Sequence, residues 1–119
     1  MTVLEILKAA RARIRSGWTQ FAMARDALGN VITRPEDPRA CAWCTVGAIC
    51  AGYVAHEPPQ DGAARGVAMG RMMDVATTRD PGLAVCLHNP LVVWNDRPGR
   101  TQAEVLGLFN AAIAAEERG

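Results

Sequence analysis

Apolar residues near the start of the chain recur at helical intervals: Val3, Leu7, Ala10 and Ile14 are four, three and four residues apart and line one stripe. Ahead of the stripe, Thr2-Val-Leu-Glu5 has the form of a capping box. In such a box the threonine oxygen accepts from the Glu5 backbone N–H, and the carboxylate accepts from the N–H of Thr2. Ser16-Gly17 ends this first helix. The following WTQFAMARDALGNVI alternates weakly on either side of Asp26 to Asn30, and its Gly29-Asn30 pair predicts a short irregular hairpin.

Asp37-Pro38 places a capping side chain before a proline suited to a first helical position, so a second helix is expected to begin there. Along it, Trp43, Gly47, Cys50 and Val54 share one side while Val46, Ile49 and Tyr53 fill the next. A helix apolar all round is buried on several sides, which makes this the expected central helix. HEPPQDG stops it, and Asp61 is expected to cap a third helix running to about Thr78. LAVCLHNPLVVW reads as extended, partly strand-like chain, with Pro90 confining any strand to an edge. Thr101-Gln-Ala-Glu104 repeats the capping box and opens a last helix that buries Val105, Leu108, Phe109 and Ala112. The pattern predicts one mainly α domain over residues 1–119. It would be a compact bundle of about four helices with a small β-hairpin or extended segments, the Thr101 helix packed across the Trp43 helix.

Composition narrows the classes of function. Half of the 119 residues are hydrophobic and 21% are charged, with a formal net charge of +1, which gives no reason to expect nucleic acid or an anionic membrane as the main partner. Lys8, Arg11, Arg13 and Arg15 crowd the end of the first helix, where its dipole favours cations. The longest uncharged stretch, residues 40–55, is shorter than the roughly 20 residues of a membrane span. The N-terminus lacks the basic-then-apolar order of a secretory signal. A cytoplasmic location is therefore expected, where the four cysteines stay reduced.

CAWCTVGAIC, residues 41–50, concentrates the candidate chemistry. Cys41-x-x-Cys44 and Cys86-x-His88 could together supply four zinc ligands, but structural zinc pairs project from turns and Cys44 is placed inside a helix, so no metal site is expected. A cysteine enzyme would use Cys44 as nucleophile, His88 as base, Asn95 or Asp96 to orient the imidazole and Gln20 as an oxyanion donor. That order is similar to papain-like hydrolases, although here tryptophan precedes the cysteine rather than following it. With no lysine, arginine or histidine within a helical turn, Cys44 reads as a packing residue whose thiol burial holds protonated. No phosphate loop, serine elbow or His-Glu-x-x-His helix occurs, and no cofactor is expected.

Taken together, GWTQFAMARDALGNV, WCTVGAI and WNDRPGRTQAEVLGLFNAAI resemble a family of small bacterial and phage-associated proteins of unknown function. The likeness runs from about residue 3 to residue 115. Matching positions are Trp43, Cys44, Gly47, Ala48, Trp94, Asn95, Asp96, Thr101, Glu104 and Val105, whereas Cys41, Cys50, Cys86 and His88 lie outside the pattern. The resemblance implies no activity. Physically, Gly47 leaves a gap on the central helix where another helix or an indole can approach closely, Trp94 anchors its segment, and Trp43, Trp94, Asn95 and Asp96 are the candidate lining of a small polar-rimmed pocket. The favoured reading is a non-enzymatic binding or accessory protein of a bacterium or phage. Its partner, a protein or a small molecule, and its self-association stay open. The alternative is a small cysteine hydrolase or transferase using Cys44 and His88.

Overall fold

Both capping boxes form, and each starts a helix at the residue the spacing predicts. In the computed structural model, which describes residues 1–119, α1 spans Val3–Ser16 with Thr2 and Glu5 exchanging both cap bonds. The last helix, Gln102–Arg118, is capped in the same way by Thr101 and Glu104. Between them lie β1 (Ala24–Arg25), β2 (Val31–Ile32), β3 (Ala42–Trp43), α2 (Thr45–Cys50), α3 (Pro59–Arg79), a 3₁₀ turn (Pro81–Val85) and α4 (Pro90–Asn95), which makes Gln102–Arg118 α5. The protein is mainly α-helical with a small antiparallel sheet.

The interior is built by α1, α3 and α5. Leu7, Ala10 and Ile14 of α1 meet Met72 and Ala76 of α3 and Val105, Leu108, Phe109 and Ala112 of α5 in one cluster that also takes in Ile49, Leu83, Leu91 and Trp94. The expected arrangement is corrected here: α5 packs chiefly on α1 and α3 rather than across the Trp43 segment.

The hairpin forms as expected, with Ala24 opposite Ile32 and Arg25 opposite Val31, and Gly29 supplies the positive φ of its turn. A third strand was not foreseen. Ala42 and Trp43 pair with Arg25 and Ala24, so the sheet order is β2-β1-β3. The expected helix from Pro38 is thus a turn followed by a strand, and α2 keeps only six residues of it. Asp37 does not cap. Its carboxylate accepts from the N–H and the guanidinium of Arg39, which closes a local turn and lowers its pKa to about 2. LAVCLHNPLVVW, expected to be extended and partly strand-like, is non-helical only over residues 86–89, between the 3₁₀ turn and α4. Asn89 accepts from Leu91 N and Pro90 takes the first position of α4, an Asn-Pro start. Asp61 lies within α3 and pairs with the N-terminal ammonium instead of capping.

One side chain ties the sheet, α2 and α4 together. Asn95 is fully buried, and its Oδ1 accepts from Trp18 Nε1 (2.9 Å), Thr45 N (3.0 Å) and Thr45 Oγ1 (2.8 Å). Its Nδ2 donates to Thr19 O and to Asp96 Oδ1. Indole and backbone N–H groups can only donate, and carbonyl and carboxylate oxygens can only accept, so the network fixes which way the amide faces. Two glycines let the same segments close up. A Cβ on Gly17 would stand 2.2 Å from Cys41 O, and one on Gly47 would stand 2.0 Å from Met23 O. The gap expected at Gly47 is real, and backbone fills it rather than a helix or an indole.

Two substitutions separate a local cap from this junction. Thr101→Ala should lower stability by about 1 kcal/mol, the usual cost of a lost cap. Asn95→Ala should cost more than about 3 kcal/mol, because Trp18 and Thr45 keep buried donors with no acceptor. Urea midpoints measure both. Equal shifts for the two variants would mean that the Asn95 network does not hold the segments together.

Candidate functional site

The loop from Trp18 to Met23 holds one of the two non-glycine residues with positive φ, the other being His56. Phe21 has φ of +63°, a left-handed conformation that costs a non-glycine residue about 1 kcal/mol or more. Several bonds hold it there. Phe21 N donates to Asp96 Oδ1 (3.0 Å), and Gln20 Nε2 donates to the carbonyls of Asn95 (2.9 Å) and Arg97 (3.0 Å). Arg25 grips the loop from the sheet side, with Nε on Thr19 Oγ1 and Nη2 on Gln20 O. The result presents the Phe21 side chain outward, 69% exposed.

Behind that ring lies a cleft of about 400 Å³ lined by Phe21, Ala22, Met23, Cys44, Val92 and Asp96. Its lining is apolar apart from the thiol and the carboxylate. Asp96 Oδ1 is held by Asn95 and Phe21, while Oδ2 makes no hydrogen bond or ion pair within the protein. A hollow of about 470 Å³ between Arg34 and Tyr53 is comparable in size, but no sequence-derived candidate lines it.

Cys44 sits at the start of α2, not within a helix as expected. Its Sγ accepts from Gly47 N (3.2 Å), so the thiol itself caps the helix, and its backbone N donates to Met23 O. At 4% exposure, burial pushes the thiol pKa up. The backbone bonds from Gly47 and Val46 act the other way, and the nearby Asp96 charge adds to the rise. The resulting neutral thiol is a poor nucleophile.

The remaining candidates are dispersed. His88 is exposed in the loop before α4 and shares no hydrogen bond with Cys44 or Asn95. Gln20 is occupied by two carbonyls and has no free donor role. Cys41 is exposed while Cys44 is buried, and no three His, Cys, Asp or Glu side chains gather where a metal ion could be held. Trp43 is half-buried in β3, its Nε1 donating to Pro35 O. Asn95 lines neither neighbouring cleft, and Trp94 and Asp96 on its two sides line different ones. The expected pocket of Trp43, Trp94, Asn95 and Asp96 is therefore divided in the fold. Sequence reasoning missed Phe21, Met23 and Val92, since nothing in their local pattern indicates a left-handed turn or the approach of α4.

Of the four basic residues on α1, Arg11 Nη1 donates to Asn110 Oδ1 and Arg13 Nη1 to Ala48 O, so half of that patch serves helix packing. No helix is long and apolar enough to cross a membrane. Neither curated proteins nor solved structures gave a match to the chain. A family model described as a family of unknown function, DUF6197, matches residues 1–115. That span takes in both capping boxes, the Asn95 junction and the cleft beside Cys44, and the chain belongs to this family.

Proposed function

We propose that the protein is a non-enzymatic binding protein, working in the cytoplasm of a bacterium or of a phage-infected cell, whose cleft receives an apolar group carrying a cationic nitrogen. The observation that carries this reading is the strained Phe21 backbone, which holds an exposed ring at the rim of an apolar cleft beside a carboxylate oxygen without a partner. Backbone strain of this kind persists only where surrounding bonds enforce it, and it concentrates at ligand-binding positions. Phe21, Met23 and Val92 offer apolar contact. Asp96 Oδ2 selects a donor, and a charged one gains most in so apolar a setting. Four free thiols accord with a reducing compartment.

Against a cysteine hydrolase or transferase stand the raised Cys44 pKa and the separate position of His88. Cys44 should therefore react slowly with a thiol reagent at neutral pH in the native state, after the exposed Cys41, and quickly once the chain is unfolded. Mass spectrometry of timed labelling reads the order. Labelling of Cys44 first would reinstate the enzyme reading.

The binding reading is tested with phenethylamine as probe, followed by amide shifts of the full chain. Saturable shifts are expected at Phe21, Met23, Cys44 and Val92, with phenylethanol binding more weakly. Asp96→Asn keeps the acceptor for Phe21 N but removes the charge, and should weaken the amine roughly tenfold while leaving the alcohol unchanged. Equal binding of amine and alcohol, or shifts elsewhere on the surface, would overturn it.

A further inference from the structure

A second cleft, sharing no residue with the first, opens where the end of α3, the turn after α4 and the first turn of α5 meet. It encloses about 480 Å³ and is lined by Arg79, Asp80, Trp94, Arg97, Arg100 and Glu104. Three guanidiniums face two carboxylates there. Arg97 Nη1 stands 2.7 Å from Asp80 Oδ2, and Arg100 Nη1 donates to Glu104 Oε2 at 3.0 Å. Arg79 has no ion pair and no side-chain hydrogen bond, so one positive charge in the cleft is uncompensated.

The cations are also arranged in advance. Arg100 is only 12% exposed, its guanidinium lies 3.8 Å over the Trp94 ring, and its Nε donates to Trp94 O. Its Nη2 makes no hydrogen bond within the protein. Gly99, with φ of +82°, allows the tight turn that Arg100 N closes onto Arg97 O, which brings Arg97 and Arg100 to the same cleft. A planar guanidinium already fixed by stacking loses little freedom when it takes a ligand.

We propose that this cleft binds a phosphate-type oxyanion, either free phosphate or the phosphate of a small phosphomonoester. A phosphate brings three acceptor oxygens and up to two negative charges, enough to engage Arg79 and the unused donors of Arg97 and Arg100 together. A monocarboxylate brings half that charge and cannot meet donors from three directions. The volume exceeds a bare phosphate and leaves space for an ester group.

The full chain is titrated with inorganic phosphate and with phenyl phosphate at constant ionic strength, followed by amide shifts around residues 79, 80 and 97–100. Saturable binding is expected from at least one of them. Inorganic phosphate binding as well as the ester identifies a free-ion site, and a tighter ester identifies a phosphomonoester site. Arg79→Gln should weaken binding roughly tenfold and Asp80→Asn should strengthen it severalfold. Opposite effects from two adjacent variants report charge in the cleft rather than loss of fold, and unchanged thermal melts confirm that both variants are folded. Absence of saturation, reproduction of the shifts by acetate or chloride, or indifference to both variants would overturn the proposal. None of these outcomes bears on the Asp96 cleft, whose own variant leaves this one intact.

Discussion

A single buried carboxamide determines how the small sheet meets the helices. Asn95 sits at the end of α4 with no exposure, yet its hydrogen bonds reach Trp18 and Thr19 before the hairpin, Thr45 at the start of α2, and its own neighbour Asp96. Apolar contact alone would not set these segments in register, because it is non-directional. The amide is directional on both sides, with an oxygen toward donors only and a nitrogen toward acceptors only. Once it is satisfied, the loop at Phe21, the cap at Cys44 and the turn after Trp94 are all positioned. A half-satisfied network in that interior would be worse than none, which makes the junction an all-or-none element.

The residues beside Asn95 put this rigidity to different uses. Asp96 leans one carboxylate oxygen on the strained loop and leaves the other in an apolar cleft. Trp94 offers its ring face to Arg100 and its carbonyl to the same side chain, and so organises a cleft of opposite charge. Sites supported by buried, fully bonded residues hold their geometry better than sites on free loops. Here the end of a six-residue helix borders two clefts.

Much of the fold was legible where a local rule acts alone. The capping boxes at Thr2 and Thr101, the stripe Leu7-Ala10-Ile14 and the turn at Gly29 each depend on a few adjacent residues, and each forms. The errors fall where tertiary partners decide. CAWCTVGAIC reads as one buried helix because it is apolar throughout, but a short half-buried strand at the sheet edge can be equally apolar, and periodicity cannot separate the two. Asp37-Pro38 and Asn89-Pro90 carry the same Asx-Pro grammar. Arg39 captures Asp37 into a turn, whereas Asn89 is left free to cap. The pair Trp94-Asn95 can be identified as important from the sequence, but not that its members serve different surfaces. Cys44 is buried, as its apolar stretch implies, but it caps α2 instead of lying within a helix, and a thiol acting as a cap has no distinct sequence signal.

The packing of α1 on α5 has a further implication for how the chain becomes a protein. The stripe of Leu7, Ala10 and Ile14 is completed by Val105, Leu108 and Phe109, with residues 17–101 made in between. During synthesis α1 therefore emerges with its apolar face uncovered, and α2 and α3 can cover only part of it before α5 leaves the ribosome. The sheet and α2 are small, and their placement depends on Asn95, itself synthesised late. Such a chain gains little by folding as it is made, and exposed apolar surface during that interval invites chaperones and proteases. The nascent protein's exposure is set by topology, and a faster-folding relative would need α1 to find its cover closer in sequence.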